Sequence, residues 1–201
     1  IIEGNFIGTD VSGTAALGNG VGVVIETSFN TIGGTTPEAR NVISGNNGEG
    51  VYMYFGGGNV VEGNFIGLDA TGTAGLPNRQ FGVSIYTSTN NIIGGTTPEA
   101  RNVISMNNGA GVDMGNGGDG NQVEGNYIGT DVTGTATPTS DPWSGAQFGV
   151  LLEDAADNTI GGTAAGAGNV ISGRNGDGIA IIRSGATGNR VEGNFIGTDA
   201  A

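Results

Sequence analysis

The octapeptide EGNFIGTD occupies residues 3–10 of the chain and recurs three times further along. Its later copies are EGNFIGLD at 62–69, EGNYIGTD at 124–131 and EGNFIGTD at 192–199. Successive copies start 59, 62 and 68 residues apart. Recurrence at such a period predicts a repeat architecture, in which each unit buries its apolar face against its neighbours.

A second unit alternates with the octapeptide: IGGTTPEARNVIS at 32–44 and 93–105, and IGGTAAGAGNVIS at 160–172. Each long repeat is also divided by Gly-apolar pairs, which are Gly22-Val23, Gly50-Val51, Gly82-Val83, Gly111-Val112, Gly149-Val150 and Gly178-Ile179. Between successive pairs lie three short segments with apolar residues at every second position. Short, Gly-rich segments of that period predict strands rather than helices, so each interval predicts one three-stranded coil.

Stacked coils place equivalent residues in columns, about 4.8 Å apart along the axis. The alternation predicts three inward, aliphatic columns. The first contains Val23, Ile25, Val51, Met53, Val83, Ile85, Val112, Met114, Val150, Leu152, Ile179 and Ile181; the second Ile32, Val61, Ile93, Val123, Ile160 and Val191; the third Ile7, Ile43, Ile66, Ile104, Ile128, Ile171 and Ile196.

Asparagine begins most of the second and third strands. The residues are Asn30, Asn59, Asn91, Asn121, Asn158 and Asn189, and Asn5, Asn41, Asn64, Asn102, Asn126, Asn169 and Asn194. Asn tolerates the left-handed conformation that a sharp corner needs, and stacked amides can bond from coil to coil. We therefore expect left-handed Asn corners that are joined into ladders.

These features predict an all-β fold in which residues 1–201 form a single domain. The NxIxGNxIGTD and IGGTxxxxxNVISGN patterns resemble the repeats of right-handed parallel β-helices, the pectate-lyase-like solenoids of large bacterial secreted and surface proteins. The resemblance implies a right-handed, single-stranded parallel β-helix of about six three-stranded coils, and an extracellular or cell-surface location. It does not choose a function, because the same fold carries lyases, hydrolases, adhesins and passive structural segments.

The charge composition excludes several functions. The chain has 6 Arg and Lys residues together, 19 acidic residues, no His and no Cys, for a net charge of −13. This charge opposes binding to nucleic acid, and no apolar run is long enough for membrane insertion. Without His or Cys the usual zinc, iron and copper sites cannot form. We expect no cofactor, with calcium as the metal that oxygen ligands would accept.

The outward face of the first strand carries the first candidate site. Tyr52, Tyr54 and Tyr86 are expected there, with Tyr54 and Tyr86 stacked one above the other, as a platform for a sugar ring. Asp113 and Glu153 follow, one coil apart and offset by two residues, which suits the roughly 6.5–9.5 Å separation of an inverting glycosidase. The alternative is ordinary cross-strand packing on an acidic surface, with no reaction catalysed.

The turn after the third strand carries the second candidate, an Asp in each octapeptide. These residues are Asp10, Asp69, Asp131 and Asp199. Each could contribute to a calcium site, but the sequence favours a carboxylate that caps its own turn. The longest insertion, 137–147, contains Trp143, the only Trp, as a third candidate for ligand binding; covering an apolar patch is the alternative.

An apolar column beside the third strand points away from the core by its alternation. It consists of Phe6, Val42, Phe65, Val103, Tyr127, Val170 and Phe195. Such a stripe needs a cover. We expect the turn that follows each GTD to fold over it, and a lateral contact with another chain is the alternative.

Two functions fit the sequence. The first is a non-catalytic, extracellular structural or adhesive segment. Because the chain starts and ends in the same octapeptide, it is expected to be part of a longer array or a filament protomer that stacks head to tail. The second is a β-helix that binds or cleaves polysaccharide on the outer face of the first strand.

Overall fold

Residues 1–139, 148–173 and 175–201 are described by a computed structural model of the chain. The described residues contain nineteen β-strands and one 3-10 turn, Pro37–Ala39. The strands are β1 (Phe6–Ile7), β2 (Val23–Ile25), β3 (Thr31–Gly33), β4 (Val42–Ile43), β5 (Val51–Tyr54), β6 (Val60–Glu62), β7 (Phe65–Ile66), β8 (Val83–Tyr86), β9 (Ile92–Gly94), β10 (Val103–Ile104), β11 (Val112–Gly115), β12 (Gln122–Glu124), β13 (Tyr127–Ile128), β14 (Phe148–Glu153), β15 (Thr159–Gly161), β16 (Val170–Ile171), β17 (Asp177–Ile182), β18 (Arg190–Glu192) and β19 (Phe195–Ile196).

Every strand pairs in parallel with the strand three places along the chain. The first sheet is β2-β5-β8-β11-β14-β17, the second is β3-β6-β9-β12-β15-β18, and the third is β1-β4-β7-β10-β13-β16-β19. A chain that visits three parallel sheets in turn forms a coil, so the fold is an all-β parallel β-helix of about six three-stranded coils. This confirms the predicted fold class.

The three predicted columns form the core. Ile43 lies between Ile7 and Ile66 in the third sheet, and Val61 lies between Ile32 and Ile93 in the second. Column residues of the middle coils have no exposed surface, whereas Ile181 and Ile196 in β17 and β19 are 44% and 48% exposed. Those two strands each pair with a strand on one side only, which leaves the other side of the column open.

The predicted amide ladders are present at both corners. In the middle of the third-strand ladder, the backbone N and Nδ2 of Asn64 donate to Oδ1 of Asn102, both at 3.0 Å. In the second-strand ladder, the same two atoms of Asn59 donate to Oδ1 of Asn91 at 2.9 and 3.0 Å. The ladders therefore have a direction, since each Asn donates to the Asn of the following coil.

The left-handed backbone does not lie at these Asn residues, so that prediction was wrong. At the second-strand corner, positive φ occurs one residue earlier, as at Phe29 (62°) and Asn90 (56°). The ladder bond explains the shift, because the Asn side chain turns inward and its own N–H points along the coil axis toward the next amide. The reversal of direction then falls on the preceding residue.

A third ladder was missed in the sequence. It runs from Asn19 through Asn46 and Asn78 to Asn107, and both Asn46 Nδ2 and Asn78 Nδ2 donate to the next Oδ1, at 2.8 and 2.9 Å. Its signal was an Asn placed three or four residues before the Gly-apolar pair. The ladder spans only the first coils, which made the pattern harder to see.

The turns of the octapeptide cover the middle of the outward stripe, as predicted, whereas Phe6 and Phe195 at its two ends are 49% and 54% exposed. Phe65 is buried, and its ring lies against Gly72, where a Cβ would approach the ring to 2.8 Å. Although the turns occur on alternate coils, they bond directly to one another: Ala70 N donates to Gly13 O at 2.9 Å, and Val132 N to Gly72 O at 3.0 Å. Each turn therefore also spans the intervening coil.

Candidate functional site

Three tyrosines form an aromatic patch on the outer face of the first sheet. Tyr54 and Tyr86 are register partners, as predicted. The ring contacts, however, are made to Tyr52: Tyr54 stacks on it at 5.8 Å and 15°, and Tyr86 meets it edge-on at 6.3 Å and 63°. The Tyr86 ring extends over Gly115 of the next coil, where a Cβ would lie 2.7 Å from the ring.

Phe55 extends this patch, and Phe29 is a second exposed aromatic residue at a corner of the coil; neither was predicted from the sequence. Phe55 tilts against Tyr54 with ring centroids 4.0 Å apart, and it is 51% exposed. Phe29 is 87% exposed. Both have positive φ, 66° and 62°, a conformation that costs a bulky residue roughly 1–2 kcal/mol. Both lie outside the strands, so alternation of apolar residues could not place them.

Asp113 lies in the middle of this sheet but has no exposed surface. Its Oδ2 accepts a bond from Ser84 Oγ at 3.3 Å, while its Oδ1 has no hydrogen-bond partner. Burial raises the pKa of Asp113 to about 6; neighbouring Tyr86 and Ser84 lower it, and the charges of Glu153 and Glu49 raise it. A catalytic role would require substrate to reach a carboxyl that is covered.

Glu153 occupies the predicted position relative to Asp113. Asp113 pairs with Leu151, and Gly115 pairs with Glu153, so the two acids lie one coil apart and two residues offset. Glu153 forms an ion pair with Arg183, which holds its carboxylate toward the following corner. The ion pair gives Glu153 a structural partner and engages the guanidinium of Arg183.

The surroundings of the tyrosines are acidic. Burial raises the pKa of Tyr52, and the charges of Tyr54, Glu49 and Glu26 act in the same direction. Burial likewise raises the pKa of Tyr86, with Asp113 as the next contribution. A polyanion approaching this face would be repelled, so an acidic polysaccharide is a poor match for it.

The remaining sequence candidates have different outcomes. Trp143 lies outside the described residues. Phe148 is described and packs, half-buried, against the cluster of Ala110, Leu151 and Ala180.

The octapeptide aspartates cap their own turns. Asp10 Oδ1 accepts from the backbone N of Thr14 and Ala15 at 3.0 and 3.1 Å, and its Oδ2 accepts from Ser12 Oγ at 2.7 Å. The Ser12 hydroxyl and these backbone groups lower the pKa of Asp10.

The other three turns use the same carboxylate oxygen. Asp69 Oδ1 accepts from Thr73 N and Ala74 N at 3.3 and 3.2 Å. Asp131 Oδ1 accepts from Thr133 N at 3.0 Å, and Asp199 Oδ1 accepts from Ala201 N at 3.3 Å. These bonds are those of a turn cap and use oxygens that a calcium ion would need.

Within the described ranges, no three His, Cys, Asp or Glu side chains come together as a metal-binding group. No helix in the described part of the chain has the length and apolar character to cross a membrane. Comparison with protein-family models, with curated proteins and with solved structures found no match for the chain.

Proposed function

We propose that the chain is a non-catalytic structural or adhesive segment, a rigid rod in a secreted or surface protein of the bacterial kind that its repeats resemble. The observation that carries this proposal is the continuity of its interior. Apolar columns and two amide ladders run through all coils in one register. Such an interior couples each coil to its neighbours and resists bending and local opening.

The polar side chains also support a structural role. Ladder amides bond to one another, octapeptide carboxylates cap turns, and Glu153 is held by Arg183. Asp113, the one carboxyl with a strongly perturbed pKa among the described residues, is buried. A hydrolase or lyase needs a reachable acid or base within a cleft, and these groups do not provide one.

The direction of the ladders supports association along the axis. Asn5 lies at the accepting end and Asn194 at the donating end, because each Asn donates to the coil that follows. A further coil would extend both the ladders and the open columns at Ile181 and Ile196, whether it belonged to the same polypeptide or to a second copy. We therefore include head-to-tail association in the proposal.

The test of the non-catalytic role is incubation with acidic and neutral polysaccharides, with and without calcium. Release of reducing ends and the absorbance of unsaturated products are followed over time. We expect neither signal to rise above a heat-denatured control. Product that depends on folded protein would overturn the proposal.

A second candidate function, sugar binding, is favoured by the exposed rings beside Tyr54. Stacked Tyr52 and Tyr54, with Phe55 tilted against them, offer flat apolar faces next to carboxylates. The acidic surroundings select neutral rather than acidic glycans. Affinity electrophoresis in neutral polysaccharide gels tests this function: retardation that Tyr54→Ala abolishes would support it, and equal mobility with and without polysaccharide would refute it.

A further inference from the structure

The first sheet places two carboxylates beside the rings of β5. Ile25 of β2 pairs with Met53 of β5, so the residues that follow them, Glu26 and Tyr54, lie side by side. Glu49 lies two residues before β5 begins. Glu26 is exposed and Glu49 is half-buried, so both can meet a ligand from solvent. The aromatic surface of β5 is therefore bordered by a carboxylate near each end of the strand.

Neither of these two carboxylates has a cationic partner in the described part of the chain. The ion pairs found there join Arg183 to Glu153 and Arg190 to Glu192. Glu153 lies on β14, three strands away from β5 across the first sheet. A cation that reaches β5 would therefore meet acidic groups that no arginine of the described residues neutralises.

The charges of the two carboxylates extend over the aromatic rings. Burial is the largest cause of the raised pKa of Tyr52, and the charges of Tyr54, Glu49 and Glu26 add to it. A negative potential that opposes ionisation of a hydroxyl attracts a positive group at the same place. The rings strengthen this attraction, since a cation is also stabilised over the face of a tyrosine.

The shape of the patch suits a sugar ring. Tyr52 and Tyr54 are nearly parallel, 15° apart with centroids 5.8 Å from each other, and Phe55 is tilted by 47° against Tyr54. A sugar ring has an apolar face that packs on aromatic rings, while its polar substituents lie around the rim. A protonated amino group is the rim substituent that flanking carboxylates complement.

We propose that the aromatic patch binds a glycan of amino sugars whose amino groups are free and protonated, such as a polymer of glucosamine. The sugar rings pack on Tyr52 and Tyr54, and the ammonium groups pair with Glu26 and Glu49. This assignment rests on the sugar-binding candidate described above and specifies its ligand class. A rigid sugar ring also loses less conformational entropy on such a surface than a flexible basic peptide does.

The test is isothermal titration calorimetry of the full chain with a glucosamine oligomer and with its fully N-acetylated counterpart. The two ligands share one backbone and differ in charge at about pH 5.5, where free amines are protonated. We expect the glucosamine oligomer to bind about 2- to 30-fold more tightly, the range for two exposed ion pairs. Added salt should reduce this difference.

Variants separate the contribution of charge from that of the rings. Glu26→Gln and Glu49→Gln should each weaken binding of the glucosamine oligomer about 2- to 5-fold and leave the N-acetylated oligomer unaffected. Tyr54→Ala should weaken binding of both. Glu38→Gln, at an exposed carboxylate of the Pro37–Ala39 turn, is the matched control and should change neither.

The possible failures are distinguishable. Equal binding of the two oligomers, or equal loss in Glu26→Gln and Glu38→Gln, would overturn the amino-sugar assignment and leave sugar binding standing. An oligolysine that binds as tightly as the glucosamine oligomer would show selection for charge alone, which also overturns the assignment. No binding of either oligomer would refute the sugar-binding candidate together with this proposal, whereas the proposed rod depends on neither result.

Discussion

The corners of the coil and the outer face of the first sheet both bury polar side chains, but with different results. At the corners, Asn64 and Asn102 are fully buried, and their amides donate and accept in register. On the first sheet, Asp113 is equally buried and keeps one oxygen without a partner. An amide is neutral and carries both donor and acceptor, so it can repeat from coil to coil, whereas a carboxylate only accepts.

The largest effect is expected when a central ladder amide is removed. Asn64→Leu deletes the acceptor for the backbone N and Nδ2 of Asn41 and leaves those donors buried. Each unsatisfied buried group costs about 1–3 kcal/mol, so we expect a loss of about 3–5 kcal/mol in the free energy of unfolding. Chemical denaturation measures it. Asn47→Ala, at an exposed Asn, is the control and should change stability by less than about 0.5 kcal/mol.

A pH dependence of stability should arise from Asp113. Its pKa is raised by burial to about 6 in the folded state, from an ordinary value of 3.8. The folded state therefore binds the proton more tightly. Proton binding by Asp113 therefore raises the free energy of unfolding. This stabilisation is complete below about pH 4 and is lost as the pH rises through 6.

Between pH 4 and pH 8, we expect the free energy of unfolding to fall by at most about 3 kcal/mol because of the Asp113 carboxyl. Asp113→Asn keeps the size of the side chain and removes its titration. Urea denaturation of both proteins across that range checks the prediction. A difference between wild type and variant that stays constant with pH would show that Asp113 does not titrate as the structure implies.

A smaller effect is expected at Phe29, the exposed corner residue with positive φ, where substitution should raise stability rather than lower it. Phe29→Gly removes a bulky side chain from a residue with φ of 62° that is almost wholly exposed. We expect a net gain of about 0.5–1 kcal/mol in thermal unfolding experiments. Val11→Gly, at a residue that is also exposed but has ordinary φ, should instead lose stability. Destabilisation by both changes to the same extent would argue against strain at Phe29.

The smallest effect is expected at the ion pair of the outer face. Arg183 is 63% exposed and Glu153 22% exposed, so solvent screens their attraction. Glu153→Gln should cost about 0.2–1 kcal/mol at low salt and less at high salt. Denaturation at two ionic strengths measures the change. A loss that does not respond to salt would point to packing rather than charge.

The sequence predicted the repeating parts of the molecule better than the parts that occur once. Ile43, Ile66 and Ile104 belong to a column because their neighbours repeat the same pattern, and the ladders of Asn41 and Asn59 follow for the same reason. The left-handed residue could not be located, because the ladder bond decides whether Asn or its predecessor takes that conformation.

The alternation of apolar and polar residues along the strands was not enough to predict the candidate site. The pattern correctly pointed Asp113 away from the core, but its burial depends on what covers the sheet. Phe29 and Phe55 lie at corners, beyond the strands on which the pattern was based. The turn caps at Asp10 and Asp69 were predicted because their bonds are local, within five residues of the carboxylate.

Hydrogen exchange of the ladder amides, followed by NMR, tests the central claim most directly. The account predicts that the backbone N–H of Asn41, Asn64, Asn102 and Asn126 exchanges only through opening of the coils, at similarly slow rates. Their side-chain Nδ2 protons should be protected as well. Rapid exchange at these residues, while the strands beside them remain protected, would contradict a continuous ladder through the rod.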